Sequence, residues 1–176
     1  MSLIIENGTG VAGAESYASL ANMTTYCTNF GYTAPPTVPL QESFLRRAAV
    51  LMELMNWLGS KTASTDSLAW PRANIIRRDM LSTDPPLPSN TIPLNIINGQ
   101  IQLALELYTL SVTPGFDAGA SGRITSITES VSGAVSHSKT YDNTGRSTPA
   151  LPHAQSDAIF APLLSVGNFS AMAYRA

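Results

Sequence analysis

Apolar residues recur at helical spacing in three stretches of the chain, and these stretches predict its main helices. Ser19 has the side chain of an N-cap and Gly31 follows the last apolar position of the first stretch, which predicts a helix between them. Pro39 suits the first turn of a second helix, Gly59 suits its C-terminal stop, and Pro93 opens the third. The apolar positions that define the three faces are Leu20, Met23, Cys27 and Phe30; Leu40, Phe44, Ala48, Leu51, Met55 and Leu58; and Ile97, Ile101, Ala104, Tyr108 and Val112.

The second and third helices each carry more than one apolar side. A further line along the second helix, Leu45, Ala49, Met52 and Trp57, predicts contact on two sides. Glu106 is the sole formal charge in residues 94–113, which predicts a third helix buried nearly all round. Helices of this kind need neighbours on several sides, so the pattern predicts a small helical bundle.

A short apolar hinge, Ser67–Arg72, lies between the second and third helices. Pro71 fixes its own φ and pushes Trp70 into an extended conformation. We expect Trp70 to plug the end of a helix pair, with its indole N–H donating to a nearby carbonyl. Arg72 is expected either to lie over that ring or to reach a helix C-terminus. We therefore interpret Trp70, Pro71 and Arg72 as a structural hinge, with a ligand pocket as the alternative.

Two adjacent arginines and a proline-rich segment follow the hinge. Arg77 and Arg78 are interpreted as surface charges beside Asp79 and Asp84, with phosphate contact as the alternative. Residues 83–93 contain four prolines and cannot form a helix, so we predict an extended strap across the helices.

The chain changes character after the third helix. β-Branched residues predict a hairpin formed by residues 123–128 and 134–141, and residues 155–164 predict a short amphipathic helix. The final stretch, 166–176, has apolar residues but is too short to own a core, which predicts docking on a partner surface. Its candidate docking residues are Phe169, Met172, Tyr174 and Arg175.

The predicted fold class is therefore mainly α. Residues 1–115 are expected to form a small bundle of three to five helices. Residues 116–176 are expected to form an irregular C-terminal extension that contains the hairpin, the short helix and the docking tail.

The charge content of the chain is low. Charged residues make up 12% of the sequence, against about 25% in an average domain, and the net charge is −2. Sparse charge indicates a neutral surface that neighbouring subunits can cover. The slightly acidic balance argues against a dedicated nucleic-acid binder, because such domains need a basic face.

The sequence contains no constellation of catalytic or metal-binding residues. His153, Ser156 and Asp157 share one short helix and cannot form a hydrolytic triad among themselves. Two lone histidines and the single Cys27 offer no metal-ligand spacing, and no phosphate-binding glycine loop follows a strand. We therefore expect neither an enzyme nor a cofactor. The chain shows no signal peptide and no apolar run of about 20 residues, so no membrane partner is expected.

Several marks in a fixed order carry a family resemblance. They are Ile4–Gly10, Glu15-Ser16-Tyr17, the amphipathic second helix, Leu68–Arg72, and Ile92-Pro93 at the start of an apolar helix. This set resembles the head–tail connector (adaptor) proteins of tailed bacteriophages, a family whose members often carry the label "putative DnaT-like single-stranded-DNA-binding protein". The resemblance covers residues 3–113, and the remainder matches only in character.

The resemblance implies a structural virion protein without catalysis, made in the host cytoplasm and located in the neck between head and tail. It implies a homo-oligomeric ring below the portal protein, commonly a dodecamer, with DNA passing through its channel without sequence recognition. A tail-side connector or tail terminator protein is the implied partner on the other side. The resemblance further implies that the candidate docking residues Phe169, Met172, Tyr174 and Arg175 bind the portal. The low charge of this chain suits a subunit that neighbours bury, and its acidic balance suits a channel through which DNA slides.

Two alternative functions stay open from the sequence. A single-stranded-DNA-binding accessory protein would use Arg77 and Arg78 as DNA-facing residues. We expect the helical bundle to lack the stacked, exposed aromatic residues that such a protein uses. A tail-side connector or stopper would share the physics of the adaptor, and the residues do not separate the two.

Overall fold

A computed structural model of the chain describes residues 2–79, 81, 83–112, 124–131, 135–141 and 153–165, with backbone alone at 110–112, 124–131, 135–141 and 154. The helices are α1 (Leu20–Phe30), α2 (Val38–Glu53), α3 (Leu94–Val112) and α4 (Ala154–Phe160), and a 3-10 turn, Ala161–Leu163, follows α4. The strands are β1 (Ser60–Lys61), β2 (Arg72–Ala73), β3 (Ile124–Val131) and β4 (Val135–Tyr141). A mainly helical fold with a β-hairpin is thereby confirmed.

The described elements divide between two units. A helical unit contains α1 to α3, β1, β2 and, after a gap in the sequence, α4. The second unit, within residues 113–152, contains the hairpin, in which β3 and β4 pair antiparallel up to Val131 and Val135. The first strand therefore extends three residues past the predicted end at Thr128. The predicted domain boundary at residues 115 and 116 stays a prediction, although α4 itself packs within the helical unit.

The start and end of α1 follow from its cap residues, as the sequence predicts. Ser19 Oγ accepts from the Asn22 N–H at 3.1 Å, and Asn22 Oδ1 accepts from the Ser19 N–H at 2.9 Å, which completes a capping box. Gly31 ends the helix with φ 72°, a left-handed conformation that glycine adopts without a steric penalty. The Tyr32 N–H then donates back to Cys27 O at 3.0 Å. This bond folds Tyr32 over the last turn of α1.

The prediction that α2 continues to Gly59 is wrong. The helix ends at Glu53, and Leu54 donates its N–H to Leu51 O in a tighter turn. The Trp57 indole N–H donates to Met52 O at 2.9 Å and so satisfies a carbonyl that a continuing helix would have used. Trp57 is therefore buried in a turn rather than on a helix face.

The centre of the helical unit is α3, whose burial the sequence predicts. Gln100 on this helix is fully buried and uses its whole hydrogen-bonding capacity. Its Oε1 accepts from the N–H groups of Tyr17 and Ala18, both at 2.8 Å. Its Nε2 donates to Ser16 Oγ and to Leu45 O, both at 2.9 Å. One amide thus joins α3 to the N-terminal segment and to α2.

The short helix α4 fills a slot beside α3. The fully buried Phe160 ring lies against Gly99, where a Cβ would come within 2.1 Å of the ring. The same ring meets Trp57 edge to face, with centroids 5.2 Å apart. The Ser165 N–H donates to Asn56 O at 2.8 Å. The end of the described chain is therefore anchored to the turn after α2.

Candidate interaction surface

The hinge is a buried corner where aromatic rings pack edge to face. Trp70 is 1% exposed, and its ring centroid lies 5.9 Å from that of Trp57 at 78°. Its backbone N–H donates to the Tyr17 hydroxyl oxygen at 3.1 Å, and its peptide bond to Pro71 is cis. Among the described residues the Trp70 indole N–H has no hydrogen-bond partner, so the expected bond to a carbonyl is wrong.

The Arg72 guanidinium donates hydrogen bonds to the backbone carbonyls around this corner. Its guanidinium donates to Leu58 O and Gly59 O, both at 2.7 Å, and to Ala69 O at 3.3 Å. These carbonyls belong to the turn after α2 and to the hinge, so Arg72 ties the two segments together. Burial lowers the pKa of the Arg72 guanidinium, but an arginine remains charged in a protein. Trp70 and Arg72 are thus packed and hydrogen-bonded within the helical unit, and the interpretation of Trp70, Pro71 and Arg72 as a structural hinge stays a prediction.

The two candidate DNA-facing arginines differ in their surroundings. Arg77 pairs with Asp79 through two nitrogens, and the pair holds the pKa of the Asp79 carboxyl below its usual range. Arg78 is exposed, and its backbone N–H donates to Pro162 O at 3.1 Å. Within the described residues, Arg77 thus has an acidic partner, whereas the Arg78 side chain is exposed without one.

Other basic side chains in the described part of the chain also have partners. Arg46 bridges Glu15 at 3.0 Å and Glu42 at 3.3 Å. The Lys61 ammonium donates to Asp66 O at 2.9 Å. Arg47 is exposed, with its guanidinium carbon 5.0 Å from the Phe44 ring centroid. Within the described residues these cations do not add up to the basic face that phosphate binding needs.

The four candidate docking residues at the C-terminus, Phe169, Met172, Tyr174 and Arg175, lie outside the described residues. Their role stays a prediction.

The helical unit exposes many large apolar side chains. Val50 on α2 and Leu54, the residue that follows the end of α2, are 66% and 78% exposed. Scattered exposed apolar residues are ordinary, but a dense set over several elements marks surfaces that bind partners. The sequence pattern placed Leu40 and Phe30 on buried faces, and both are exposed instead. Among the described residues the set comprises Ile4, Phe30, Tyr32, Val38, Leu40, Val50, Leu54, Ile76, Leu81 and Leu94.

Two of these exposed residues, Phe30 and Tyr32, form together with the buried Tyr26 what we call the aromatic patch. The Tyr26 and Tyr32 rings are parallel within 3° with centroids 6.0 Å apart, and Phe30 lies 4.5 Å from Tyr26. Phe30 is 62% exposed and Tyr32 38%, whereas Tyr26 is buried. The stacked pair includes the buried Tyr26, and the two exposed rings are Phe30 and Tyr32, so the expectation that stacked, exposed aromatic residues are absent stays a prediction. The stack depends on the reversal at Gly31, and the Phe-Gly-Tyr sequence across a helix stop is the signal that could have revealed it.

Glutamine side chains hold the two tyrosine rings of the patch in place. The Tyr32 hydroxyl donates to Gln155 Oε1 at 2.8 Å, and the Tyr26 hydroxyl donates to Gln102 Oε1 at 3.1 Å. Gln102 Nε2 also donates to Gln155 Oε1 at 2.7 Å, which joins α3 to α4. Burial raises the pKa of Tyr26, so its hydroxyl stays a donor. No pattern in the sequence indicates that these glutamines meet.

The carboxylate of Glu106 lies next to the glutamines that hold the patch. Glu106 accepts from Ser156 Oγ at 2.7 Å and from the Ser156 N–H at 3.1 Å, and from Gln102 Nε2 at 3.3 Å. His153 Nδ1 lies 3.4 Å from Glu106 without the geometry of a hydrogen bond. Burial raises the pKa of the Asp157 carboxyl on the same helix. The surroundings of the aromatic patch are therefore polar to acidic, not basic.

The described part of the chain contains neither a group of metal-ligating side chains nor a membrane-spanning helix. No group of three or more His, Cys, Asp or Glu side chains there is placed to hold a metal ion. No helix in these ranges combines the length and apolar character needed to cross a membrane.

Comparison with known proteins gives one match. A family model described as "Putative DnaT-like ssDNA binding protein" matches residues 1–176. The search of curated proteins found no match, and the search of solved structures found none either.

Proposed function

The chain belongs to this family of DnaT-like ssDNA binding proteins, and for this member we propose a structural role as one subunit of a ring-shaped head-to-tail adaptor in a tailed bacteriophage. The proposed ring lies below the portal and surrounds the DNA channel. The observation that carries the proposal is the set of large apolar side chains exposed on the helical unit, together with its low charge.

The energetic argument concerns what covers those side chains. Burying one large apolar side chain from full exposure contributes about 1.5–3 kcal/mol, so a surface whose described residues include ten partly to largely exposed ones gains from neighbours. Interface cores are depleted in charged residues, and 12% charged residues fits a subunit with extensive interfaces. A slightly acidic chain also fits a channel that DNA passes without binding. The family resemblance in residues 3–113 supplies the position at the neck.

The adaptor proposal is tested by measuring assembly on the portal. We expect mass by light scattering to show a complex larger than either component when purified portal protein is added, and particle imaging to show a ring at the narrow end of the portal. A chain whose mass is unaffected by the portal at all concentrations would contradict the proposal.

A second candidate function is single-stranded-DNA binding. The description of the family and the aromatic patch favour it, because bases stack on exposed aromatic rings. Against it stand the paired arginines and the acidic surroundings of the patch. This function predicts oligonucleotide binding that weakens steeply with salt and is reduced in Arg77→Ala/Arg78→Ala. Fluorescence anisotropy of a labelled oligothymidine over a salt series separates the two functions, since an adaptor subunit binds it weakly at most.

A further inference from the structure

We propose that the aromatic patch of one copy of this chain binds the proline-rich segment Asp84–Pro88 of a second copy. We call this segment the proline strap. The inference rests on the proposed ring and names one contact between its neighbouring subunits. Each copy would then use two different surfaces, one for each neighbour.

The aromatic patch is preorganised for binding. The Tyr26 and Tyr32 rings are held by hydrogen bonds to Gln102 and Gln155, so little side-chain freedom is lost on contact. Phe30 stands beside them and is 62% exposed. Rigid aromatic residues at a partly exposed position are the usual anchors of protein interfaces.

The proline strap is prepared in the same way. Asp84, Pro85 and Leu87 each precede a proline, which favours extended or polyproline conformations. The Leu87 N–H donates to Ile75 O at 2.9 Å, and Leu87 is half-buried. Pro85, Pro86 and Pro88 are all exposed. Leu87 thus fixes the strap to the body of the subunit while the proline rings face outward.

The two surfaces match in chemistry. Extended proline segments bind grooves lined with aromatic rings, because the rings pack on flat apolar surfaces and the segment is already ordered. A polyproline helix has three residues per turn, so in that conformation Pro85 and Pro88 would lie on one edge of the strap. The contact does not require a basic group on either surface. On the strap, Asp84 Oδ2 accepts from the Leu81 N–H within its own chain. Beside the patch, Glu106 accepts from Gln102. A nucleic acid would meet that acidic group without compensation.

The arrangement predicts a ring rather than a symmetric dimer. Contacts between two different surfaces are heterologous, and they close into rings when the rotation permits. A few aromatic and proline rings cover much less than the about 800 Å² per partner of a stable interface. A single contact should therefore be weak, and ring closure on the portal would strengthen it.

The test uses two variants of the full chain, each with one surface blocked. Phe30→Ala blocks the patch, and Pro85→Ala/Pro88→Ala blocks the strap. Light scattering at high protein concentration should show self-association weakened about tenfold or more in each variant alone. A mixture of the two should stop at a pair, because each retains one intact surface. Ser43→Ala, at an exposed polar residue on α2 outside both surfaces and outside the exposed apolar set, is the control and should associate like the natural chain.

The outcomes separate this inference from the adaptor proposal. If both blocked variants form portal-bound rings as the natural chain does, the patch-to-strap contact is wrong and the adaptor stands. If the natural chain ignores the portal but self-associates through patch and strap, the adaptor fails and the contact stands. If Phe30→Ala loses oligonucleotide binding but not self-association, the patch is a nucleic-acid site and the inference is overturned. Phe30→Gln replaces Phe30→Ala if circular dichroism shows that the latter is unfolded.

Discussion

Tyr17 joins three parts of the helical unit through one side chain and one backbone group. Its hydroxyl accepts from the Trp70 N–H at 3.1 Å and donates to Glu53 Oε1 at 3.3 Å. Its backbone N–H donates to Gln100. Burial, with a smaller contribution from the Glu53 charge, raises the pKa of the Tyr17 hydroxyl well above its ordinary value. The hinge is therefore held by a group that must stay protonated.

We expect Tyr17 to stay protonated until the chain unfolds in alkali. Its folded pKa lies above the unfolded value of about 10, so its contribution to stability is fully present below pH 10. Above that pH the unfolded state loses the proton first, and stability falls by about 1.4 kcal/mol per pH unit. Tyrosinate absorbance followed together with circular dichroism should show a late ionisation that coincides with unfolding. Tyr17→Phe should remove that late step, and ionisation of every tyrosine before any unfolding would contradict the expectation.

At the scale of elements, α4 is positioned by shape as much as by hydrogen bonds. Gly99 on α3 leaves the space that the Phe160 ring fills, and Glu106 accepts two hydrogen bonds from Ser156 at the start of α4. The Trp57 ring closes the other side of the slot. The slot combines residues from α3, the turn after α2 and α4 itself.

We expect Gly99→Ala to destabilise the chain although alanine favours a helix by about 1 kcal/mol. The new Cβ would lie 2.1 Å from the Phe160 ring, and overpacking of this kind costs about 1–3 kcal/mol. Urea unfolding measures the loss.

The added variant Phe160→Leu provides the control. In a double-mutant cycle, the smaller leucine should leave room for the new methyl group, so that Gly99→Ala lowers the free energy of unfolding by less than it does beside Phe160. Gly31→Ala meets nothing within 4 Å, and its cost comes from φ 72°. Phe160→Leu should therefore leave the cost of Gly31→Ala unchanged. Equal coupling of both glycines to Phe160 would show that the contact does not set the position of α4.

At the scale of the whole molecule, the charges and the apolar surface point the same way. Most arginines in the described part of the chain form ion pairs or donate to carbonyls within the chain, as Arg46, Arg72 and Arg77 do. The exposed residues include Leu54 and Leu81, each more than 70% exposed. Such a surface favours protein partners over phosphate.

Deleting residues 166–176 should abolish attachment to the portal and leave the helical unit intact. The deletion removes the four candidate docking residues but spares Ser165, which donates to Asn56 O. Light scattering with the portal measures attachment, and urea unfolding should give an unchanged midpoint. Attachment at natural strength after the deletion would rule out the docking role of Phe169, Met172, Tyr174 and Arg175.

Local signals in the sequence were enough to predict most of the secondary structure. Ser19 and Gly31 bound α1, Pro93 precedes α3, and the prolines of the strap exclude a helix. The end of α2 could not be predicted, because the apolar spacing continues through Trp57 whereas the helix ends at Glu53. That end depends on a side-chain bond from Trp57 to Met52 O, which only the packed chain contains.

The sequence by itself determined the helices, the hairpin and the low charge, because capping, turn chemistry and periodicity act over a few residues. Tertiary structure alone decided which apolar residues stay exposed and which polar residues meet. Periodicity shows that a helix has an apolar face, but it does not show whether a neighbour covers that face, as Phe30 and Leu40 illustrate. The aromatic patch needs Gln102 and Gln155 from helices far apart in the chain. Contacts between such distant residues depend on packing, which no local pattern encodes.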